Sequence, residues 1–440
     1  MMDDFGRVFY LDDKVYRAIQ NSKKRHCLEL INSELFRELI DGQLIPRSSV
    51  AGFSIEGHDL VLEHEKLTET HQYEWSFNML KEAALAVLKV NELCNKYGYE
   101  LKDGHTLNVL FKGTKPMWVD IGSIAPRDKK SNETWIAYDE FVGSFLVPLL
   151  FWAEGKIYIA RKLLESNFHR IDLLPAQSIL ESKLLNLLDR RIHHYKISNI
   201  VLRLLNIIVK SRRFHTNYFS YNKIKRALTG LKPPVMASMW QDYHHYYYTV
   251  DGKQTISPRF SRIIEIINGK ADSIKSVLDL AGNQGLMCRL IKEKTNIKKI
   301  TLTDYDANAI DFAFDQFKKE YPDSIDLLLL NFMFNIDLEG SSKRIKSDLV
   351  MALAVTHHLV LTAGYSLSSI FERVKLYSNR YVMIEFMPLG LWVKGSSVYP
   401  KLPEWYNEKW FKETFEKHFI LLAREQLEEN RILFFGEIIN

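Results

Sequence analysis

In the second half of the chain, five apolar runs each lead to residues that can do chemistry. Ser276 to Leu280 carries Asp279 and passes into Ala281-Gly282-Asn283-Gln284-Gly285. Ile300 to Asp304 ends on an acid, with Asp306 two residues on. Leu327 to Leu330 runs into Asn331 and Phe332, Ser347 to Leu359 carries Thr356, His357 and His358, and Tyr381 to Pro388 carries Glu385. Carboxylates accept hydrogen bonds from a ligand's hydroxyl and amine groups, and an amide both donates and accepts. An imidazole with a near-neutral pKa can take the proton from a hydroxyl as its oxygen reacts. A turn of small residues lets a ligand come close to the backbone. The helical pattern of Leu286 to Ile291 then offers free N–H groups to a carboxylate or phosphate.

The elements that must position these groups follow from the spacing. Strand, turn and helix at residues 276–291 open a nucleotide-binding α/β unit. A helical pattern over Ala307 to Glu320 follows the second run, and further strands and helices alternate after it, which predicts a doubly wound, largely parallel sheet. Phe419 to Leu422 and Arg431 to Phe435 predict a closing antiparallel pair. In such a sheet the acid at the second strand tip accepts hydrogen bonds from ribose hydroxyls, which nominates Asp304, with Asp306 second. The turn is not a dinucleotide fingerprint, because Asn283-Gln284 stands where G-x-G-x-x-G needs its second glycine, and this disfavours an NAD-dependent oxidoreductase.

The turn resembles motif I of the class I S-adenosylmethionine (SAM) methyltransferases, acid-x-Gly-x-Gly-x-Gly. Asp279 matches the acid and Gly285 the last glycine; Ala281 and Asn283 replace the first two, with Gly282 between them. The resemblance covers Pro258 to the end. It implies a Rossmann-like methyltransferase domain with SAM as cofactor, held by Asp279, Ala281, Gly282, Asn283, Gly285, Asp304, Asn331 and Phe332. Asn331 takes the place of an acid that meets the adenine amine, and Phe332 would pack on the ring. The stretch with His357 and His358 resembles motif IV of small-molecule and sugar methyltransferases, where a His faces the methyl acceptor. The resemblance makes His357, His358 and Glu385 the catalytic candidates, and Trp240, Tyr243 and Thr356 candidates to line the acceptor site. Other readings stay open: a His that caps the loop or orients its neighbour, and a Glu385 that only ends its strand. Nothing in this domain calls for a metal.

The first part of the chain reads differently. Two short strands flank Asp12-Asp13, a helix spans Leu28 to Ile40, a strand covers Asp59 to His64, and a long amphipathic helix runs from Trp75 to Tyr97. Then come Asp103-Gly104-His105-Thr106-Leu107-Asn108 and, two strands later, Asp120-Ile121-Gly122. Carboxylate and amide oxygens at adjacent strand ends can converge on Mg²⁺. The segment resembles the catalytic segment of protein and small-molecule kinases, which implies an α+β kinase-like domain with a nucleotide and Mg²⁺ site at Asp103, Asn108 and Asp120. Arg17 would then replace the phosphate-binding Lys, with Glu34 or Glu38 as its helix partner. The Gly-rich loop is absent and Arg is not equivalent to Lys. A kinase-like fold without phosphotransfer, an active phosphotransferase using Mg-ATP, and an unrelated domain all remain open.

The chain is long enough for two or three domains at 440 residues, and an apolar fraction of 46% with 26% charged suits a globular protein. The boundaries read as 1–132, a kinase-like region; 133–234, a helical lobe and basic connector; and 235–440, the methyltransferase domain, with Pro233-Pro234 as the hinge. Cys27, Cys94 and Cys288 show neither a disulfide framework nor a zinc spacing. The acids near the N-terminus argue against an export signal, and the longest apolar run, Phe141 to Ala153, is too short to span a bilayer; a cytoplasmic protein is expected. The basic segment 184–232 offers a peripheral contact to anionic membrane or is simply a solvated helix face. Nucleic acid is disfavoured, because no nucleic-acid-binding motif accompanies the charge.

Taken whole, the chain resembles bacterial methyltransferases related to the nodulation host-specificity proteins and their relatives in polysaccharide gene sets. That resemblance implies an O-methyltransferase acting on a sugar, glycan or lipid-linked precursor. The alternatives are a bifunctional kinase-methyltransferase, methylation of a small natural product, and a non-catalytic recruiting module. The acceptor, the oligomeric state and the identity of the base are left open at this level.

Overall fold

The computed structural model describes residues 4–127, 135–166, 221–234, 249–250, 253–254, 257–334, 338–393 and 395–439. Trp240, Tyr243, the basic segment up to residue 220 and most of the expected helical lobe lie outside the described residues. The chain divides into two compact units. One comprises Met1–Phe111 and Lys115–Val235, the other Met236–Asn440 with Lys112–Thr114.

The first unit opens with a four-stranded antiparallel sheet of order β1-β2-β4-β3, with β1 Gly6–Leu11, β2 Lys14–Ile19, β3 Ser48–Val50 and β4 Leu60–His64. Asp12 and Asp13 turn the β1–β2 hairpin with φ of 48° and 62°. A two-residue turn of this hand needs both residues left-handed, and Asp tolerates that conformation better than most. The expected single helix over Leu28 to Ile40 is two, Lys24–Ile31 and Glu34–Asp41. The Ser33 side chain accepts from Phe36 N–H and starts the second, so a capping residue overrides continuous helical spacing.

The 20-residue helix Phe77–Lys96 buries Phe77, Leu80, Ala84, Val87 and Leu88. Its buried Asn91 accepts from Leu101 N–H at 3.0 Å, which fixes the chain beyond the helix. There β5 Tyr99–Leu101 pairs antiparallel with β8 Ile124–Pro126, and between them β6 Val109–Lys112 pairs with β7 Lys115–Trp118. The apolar run beginning at Phe141 is helical, with a π-turn over Val142–Leu146 before Pro148. Proline lacks an N–H and clashes with the preceding turn, and a local widening accommodates it.

The second unit holds a two-residue pair, β9 Thr249–Val250 with β10 Lys253–Gln254, and a seven-stranded sheet. The sheet strands are β11 Ser276–Leu280, β12 Lys299–Asp304, β13 Ile325–Leu329, β14 Ser347–Ala352, β15 Ser378–Phe386, β16 Phe419–Glu428 and β17 Arg431–Ile438. Their order is β13-β12-β11-β14-β15-β17-β16. The first five are parallel, and β17 and β16 close the sheet as an antiparallel pair. The central strands are continuous apolar runs because a parallel sheet is covered on both faces. The core packs Leu278, Leu328, Val350 and Ile384 against Phe371, Phe411, Phe415 and Phe434. This Rossmann-like ground plan is the one expected for the C-terminal domain. Strand order reverses between β11 and β14, and in open α/β sheets the crevice outside the carboxyl ends at that reversal is where ligands bind.

Among the described residues, no helix is long and apolar enough to cross a membrane. The three cysteines are free and buried.

Candidate active site

The turn after β11 is left-handed at Ala281 (φ 55°), Asn283 (φ 52°) and Gly285 (φ 75°). The two side-chain-bearing residues at motif glycine positions therefore stand where the backbone asks for glycine. Between them, Gly282 has no room for a side chain, since a Cβ would lie 2.6 Å from both Asp279 Oδ2 and Leu302 Cδ1. The turn is tied to the next strand tip: Gly282 N–H donates to Thr303 O at 3.0 Å, and Asn283 N–H to Asp304 Oδ2 at 2.8 Å. Asp304 Oδ1 accepts from Asp306 N–H at 2.8 Å. Asp306 in turn caps the helix Ala307–Glu320 through Asn308 N–H at 2.9 Å, so its role here is to start a helix.

Asp279 is 2% exposed. Burial, with the neighbouring Asp304 carboxylate, pushes its pKa up to about 7, against the opposing charge of Arg259. Burial likewise lifts Asp304 to about 6, against the N–H bonds from Asp306 and Asn283. Each Asp304 oxygen uses one lone pair on the backbone and keeps acceptor capacity for a ligand hydroxyl.

At the tip of β13, Asn331 is exposed, and its Oδ1 accepts from Met333 and Phe334 N–H at 3.1 and 3.2 Å. That oxygen closes the turn, and the amide NH₂ is the group left to present to a ligand. The expected packing of Phe332 on an adenine ring meets a buried side chain. At 4% exposure its ring lies in the core, because β13 is followed by a tight turn that folds it inward. The open rings near these tips are Tyr305 at 59% and Phe334 at 78% exposure. Both stand one or three residues past a strand-tip position, a signal that spacing alone did not separate from Phe332.

After β14, Thr356, His357 and His358 begin a short helix, Thr356–Leu361. Thr356 is buried, and its Oγ1 donates to Glu385 O at 2.8 Å, which bridges the β14 and β15 tips. The two imidazoles lie 4.0 Å apart between ring centroids. His357 is 5% exposed, and its Nδ1 has no partner among the described residues. Burial foremost, then His358 and Arg431, hold His357 neutral down to about pH 2. Burial lowers His358 by less.

Glu385 is fully buried and held by two arginines. Arg259 Nε and Nη2 donate to its two oxygens at 2.6 and 2.7 Å, and Arg431 Nη1 donates to Oε2 at 3.2 Å. Arg431 Nε also lies 3.2 Å from Glu428. Burial alone would raise the Glu385 pKa, but Arg259 and Arg431 together outweigh it and hold the carboxyl below its usual range. Glu385 is therefore a buried strut rather than a carboxylate open to substrate. Sequence reading missed both arginines. Each opens an apolar-patterned element, where a solvated guanidinium is the ordinary reading, and only the fold turns them inward.

In the first unit, Arg17 Nη1 donates to Asp120 Oδ1 at 3.0 Å. This corrects the expected helix partner: Glu34 is exposed, and Glu38 binds Lys96 and Tyr97. Asp120 Oδ1 also accepts from Gly122 N–H at 3.1 Å. Asp103 converges with His105 and Glu140, their ligand atoms within 4.8 Å of one another, while Asn108 Nδ2 is 3.4 Å from His105 Nε2. Asp103 and Asn108 thus both lie near His105, and Asp120 is held by Arg17 and Gly122.

No family model matches the chain. It is 27% identical over 418 residues to the nodulation protein NoeA of Rhizobium meliloti (strain 1021), covering 88% of this chain and 83% of that protein. Among solved structures it is similar to magnesium protoporphyrin IX methyltransferase from Synechocystis PCC 6803 with bound SAH. There the identity is 12% and the TM-score 0.32, over 41% of this chain and 81% of the other. A SAM-dependent methyltransferase from Clostridium acetobutylicum ATCC 824 aligns at 13% identity and TM-score 0.34, over 46% and 100%.

Proposed function

We propose that the second unit is a SAM-dependent methyltransferase acting on a hydroxyl, with a sugar, glycan or lipid-linked sugar as acceptor. The observation that carries this reading is the left-handed Ala281-Gly282-Asn283 turn tied to Asp304 through the Asn283 N–H, beside the strand-order reversal. A cofactor with a ribose and an adenine suits these donors. Asp304 accepts from the ribose hydroxyls, the turn backbone lies against the amino-acid end, and Tyr305 and Phe334 offer faces to the base. Bound SAM would supply an electrophilic methyl group.

The chain's own part is orientation, exclusion of water and handling of the acceptor proton. His357 Nδ1 is a buried atom without a partner among the described residues, and a buried polar atom of this kind is expected to find one. His358, less buried and with the higher proton affinity of the two, is the better placed for the base, with His357 packed behind it. Thr356 and the Arg259–Glu385–Arg431 cluster fix the loop from beneath. Nothing in this reading needs a metal in the second unit.

Calorimetric titration with SAM tests the reading. Saturable binding that Asp304→Ala weakens at least tenfold is expected, and absence of binding would overturn it.

For the first unit we propose a kinase-like arrangement that does not transfer phosphate. The strand pair β6–β7 between Asp103 and Asp120, flanked by the pair β5–β8, supports the likeness. The Arg17–Asp120 pair argues against a free metal ligand at Asp120. Mg-ATP binding by the same titration, lost on Asp103→Ala, would instead favour a bifunctional enzyme.

A further inference from the structure

The Mg²⁺ that the kinase likeness implies for the first unit needs oxygens from Asn108 and Asp120 as well as Asp103. The residues do not fit it. Asp120 Oδ1 already accepts from Arg17 at 3.0 Å and from Gly122 N–H at 3.1 Å. The Asn108 amide lies against the His105 ring, Nδ2 to Nε2 at 3.4 Å. The loop brings a different set together. Asp103, His105 and Glu140 are each half-buried, and one ligand atom from each lies within 4.8 Å of the others.

The fold assembles this set from two places in the chain. Asp103 and His105 stand two apart outside any helix, and His105 is extended at φ −99° and ψ 163°. In extended backbone, residues two apart face the same way. Between them a Cβ on Gly104 would lie 2.8 Å from Ala137 O and 3.2 Å from Phe141 Cβ. Glycine thus lets the loop lie directly on the helix Tyr138–Phe141, which carries Glu140. Gly104 N–H donates to Glu140 Oε2 at 2.6 Å and holds that carboxylate toward the loop. Trp135 Nε1 donates to Leu101 O at 2.6 Å and fixes the same approach.

We propose that Asp103, His105 and Glu140 bind a divalent transition cation of the zinc class. The imidazole decides the class. Carboxylates alone would suit Mg²⁺ or Ca²⁺, which take oxygen ligands, whereas an imidazole nitrogen beside carboxylates suits zinc and its neighbours. Bonds of about 2.0–2.2 Å to nitrogen and carboxylate oxygen put neighbouring ligand atoms roughly 3–3.5 Å apart. A small inward rotation of the three side chains therefore closes the set around one ion. Three protein ligands at a half-buried position leave a coordination place for water or an anionic ligand. The Asn108 amide, turned about its axis, offers its oxygen to a ring N–H, the outer contact that orients a metal-bound histidine. The proposal departs from the Mg-ATP reading of this unit and does not rest on methyl transfer.

The test is calorimetric titration of the full chain, first freed of metal by a chelator, with Zn²⁺ and separately with Mg²⁺. Saturable Zn²⁺ binding, about tenfold or more tighter than Mg²⁺, is expected. His105→Ala removes the imidazole. Glu140→Gln removes the charge but keeps an oxygen for Gly104 N–H, so the loop stays in place. Each should weaken Zn²⁺ binding by about tenfold or more, since losing even an outer contact of a metal ligand costs that much. Asp120→Asn should leave Zn²⁺ affinity unchanged. Absence of saturable Zn²⁺ binding, or Mg²⁺ bound as tightly as Zn²⁺, would overturn the proposal. So would Zn²⁺ binding untouched by both variants, since the ion would then sit on other histidines. Loss of binding in Asp120→Asn would overturn it too, by returning the ion to the kinase-type position.

Discussion

Glu385→Gln tests the buried cluster most directly. Gln keeps the shape but removes the charge, and turns an NH₂ toward one of two guanidinium groups. Arg431 retains Glu428 at 3.2 Å, whereas Arg259 loses the bidentate partner that holds it at 2.6 and 2.7 Å. With side-chain exposures of 7% for Arg259 and 9% for Arg431, water cannot replace what is lost. Removing one partner of a buried pair costs about 3–5 kcal/mol, because a desolvated charge is left behind. Two compact units rule out a single unfolding free energy, so the readout is hydrogen exchange of β15 and β17 amides by mass spectrometry. About 4 kcal/mol corresponds to roughly thousandfold faster exchange where those amides open with the whole unit. The pH dependence has a definite sign. The Glu385 pKa is depressed in the fold, so its contribution is complete above the unfolded value near 4.5 and is lost as pH falls through the folded value. The gap between wild type and variant should therefore close in acid. Replacing all three groups, as Arg259→Met/Glu385→Leu/Arg431→Met, should recover most of the loss, since no charge is then buried. A Gln variant within about 1 kcal/mol of wild type, or a triple variant no better than the single one, would refute the reasoning.

Other expectations follow from the same geometry. Asp279 is raised to about 7 in the fold, so wild type loses stability as pH rises from about 4 through 7. Asp279→Asn should therefore unfold at a higher temperature than wild type at pH 8 but not at pH 4, while SAM affinity drops at least tenfold; scanning fluorimetry and calorimetry read the two effects. Gly282→Ala should destabilise the second unit by about 1–3 kcal/mol through overpacking against Asp279 and Leu302. Ala281→Gly should raise the melting temperature slightly, relief of about 1–2 kcal/mol of left-handed strain exceeding the entropy cost of glycine. Of His357→Ala and His358→Ala, the variant that removes the base should lower kcat by about 10²–10⁴ with SAM affinity unchanged, and the other should fall much less. Asp120→Asn should cost the first unit about 2 kcal/mol by weakening the Arg17 contact, seen as faster exchange in β2.

Much of the second unit was readable because its signals are local. Apolar runs of strand length alternate with 3.6-residue periodicity, and this prescribes parallel strands with crossover helices whatever the rest of the chain does. Positions 279, 304, 331 and 385 fall at or near strand ends for the same reason. Ala281 and Asn283 could be matched to glycine positions, but their left-handed φ became visible only in the folded turn. The boundary between two helices at Ser33 was also local, a capping residue outweighed in reading by continuous periodicity.

What the sequence by itself determined is which residues lie at the strand tips and what kind of sheet carries them, since side-chain period and turn chemistry act over a few residues. What only the tertiary structure decided is which groups meet. Arg259 and Glu385 are 126 residues apart, Arg17 and Asp120 are 103 apart, and each pair is made by packing between distant elements. The same packing takes Phe332 into the core, leaves Phe334 open, and spends the Asn331 oxygen on its own turn. Burial sets whether a charged or aromatic group is strut, ligand or surface, and burial is a property of the assembled fold.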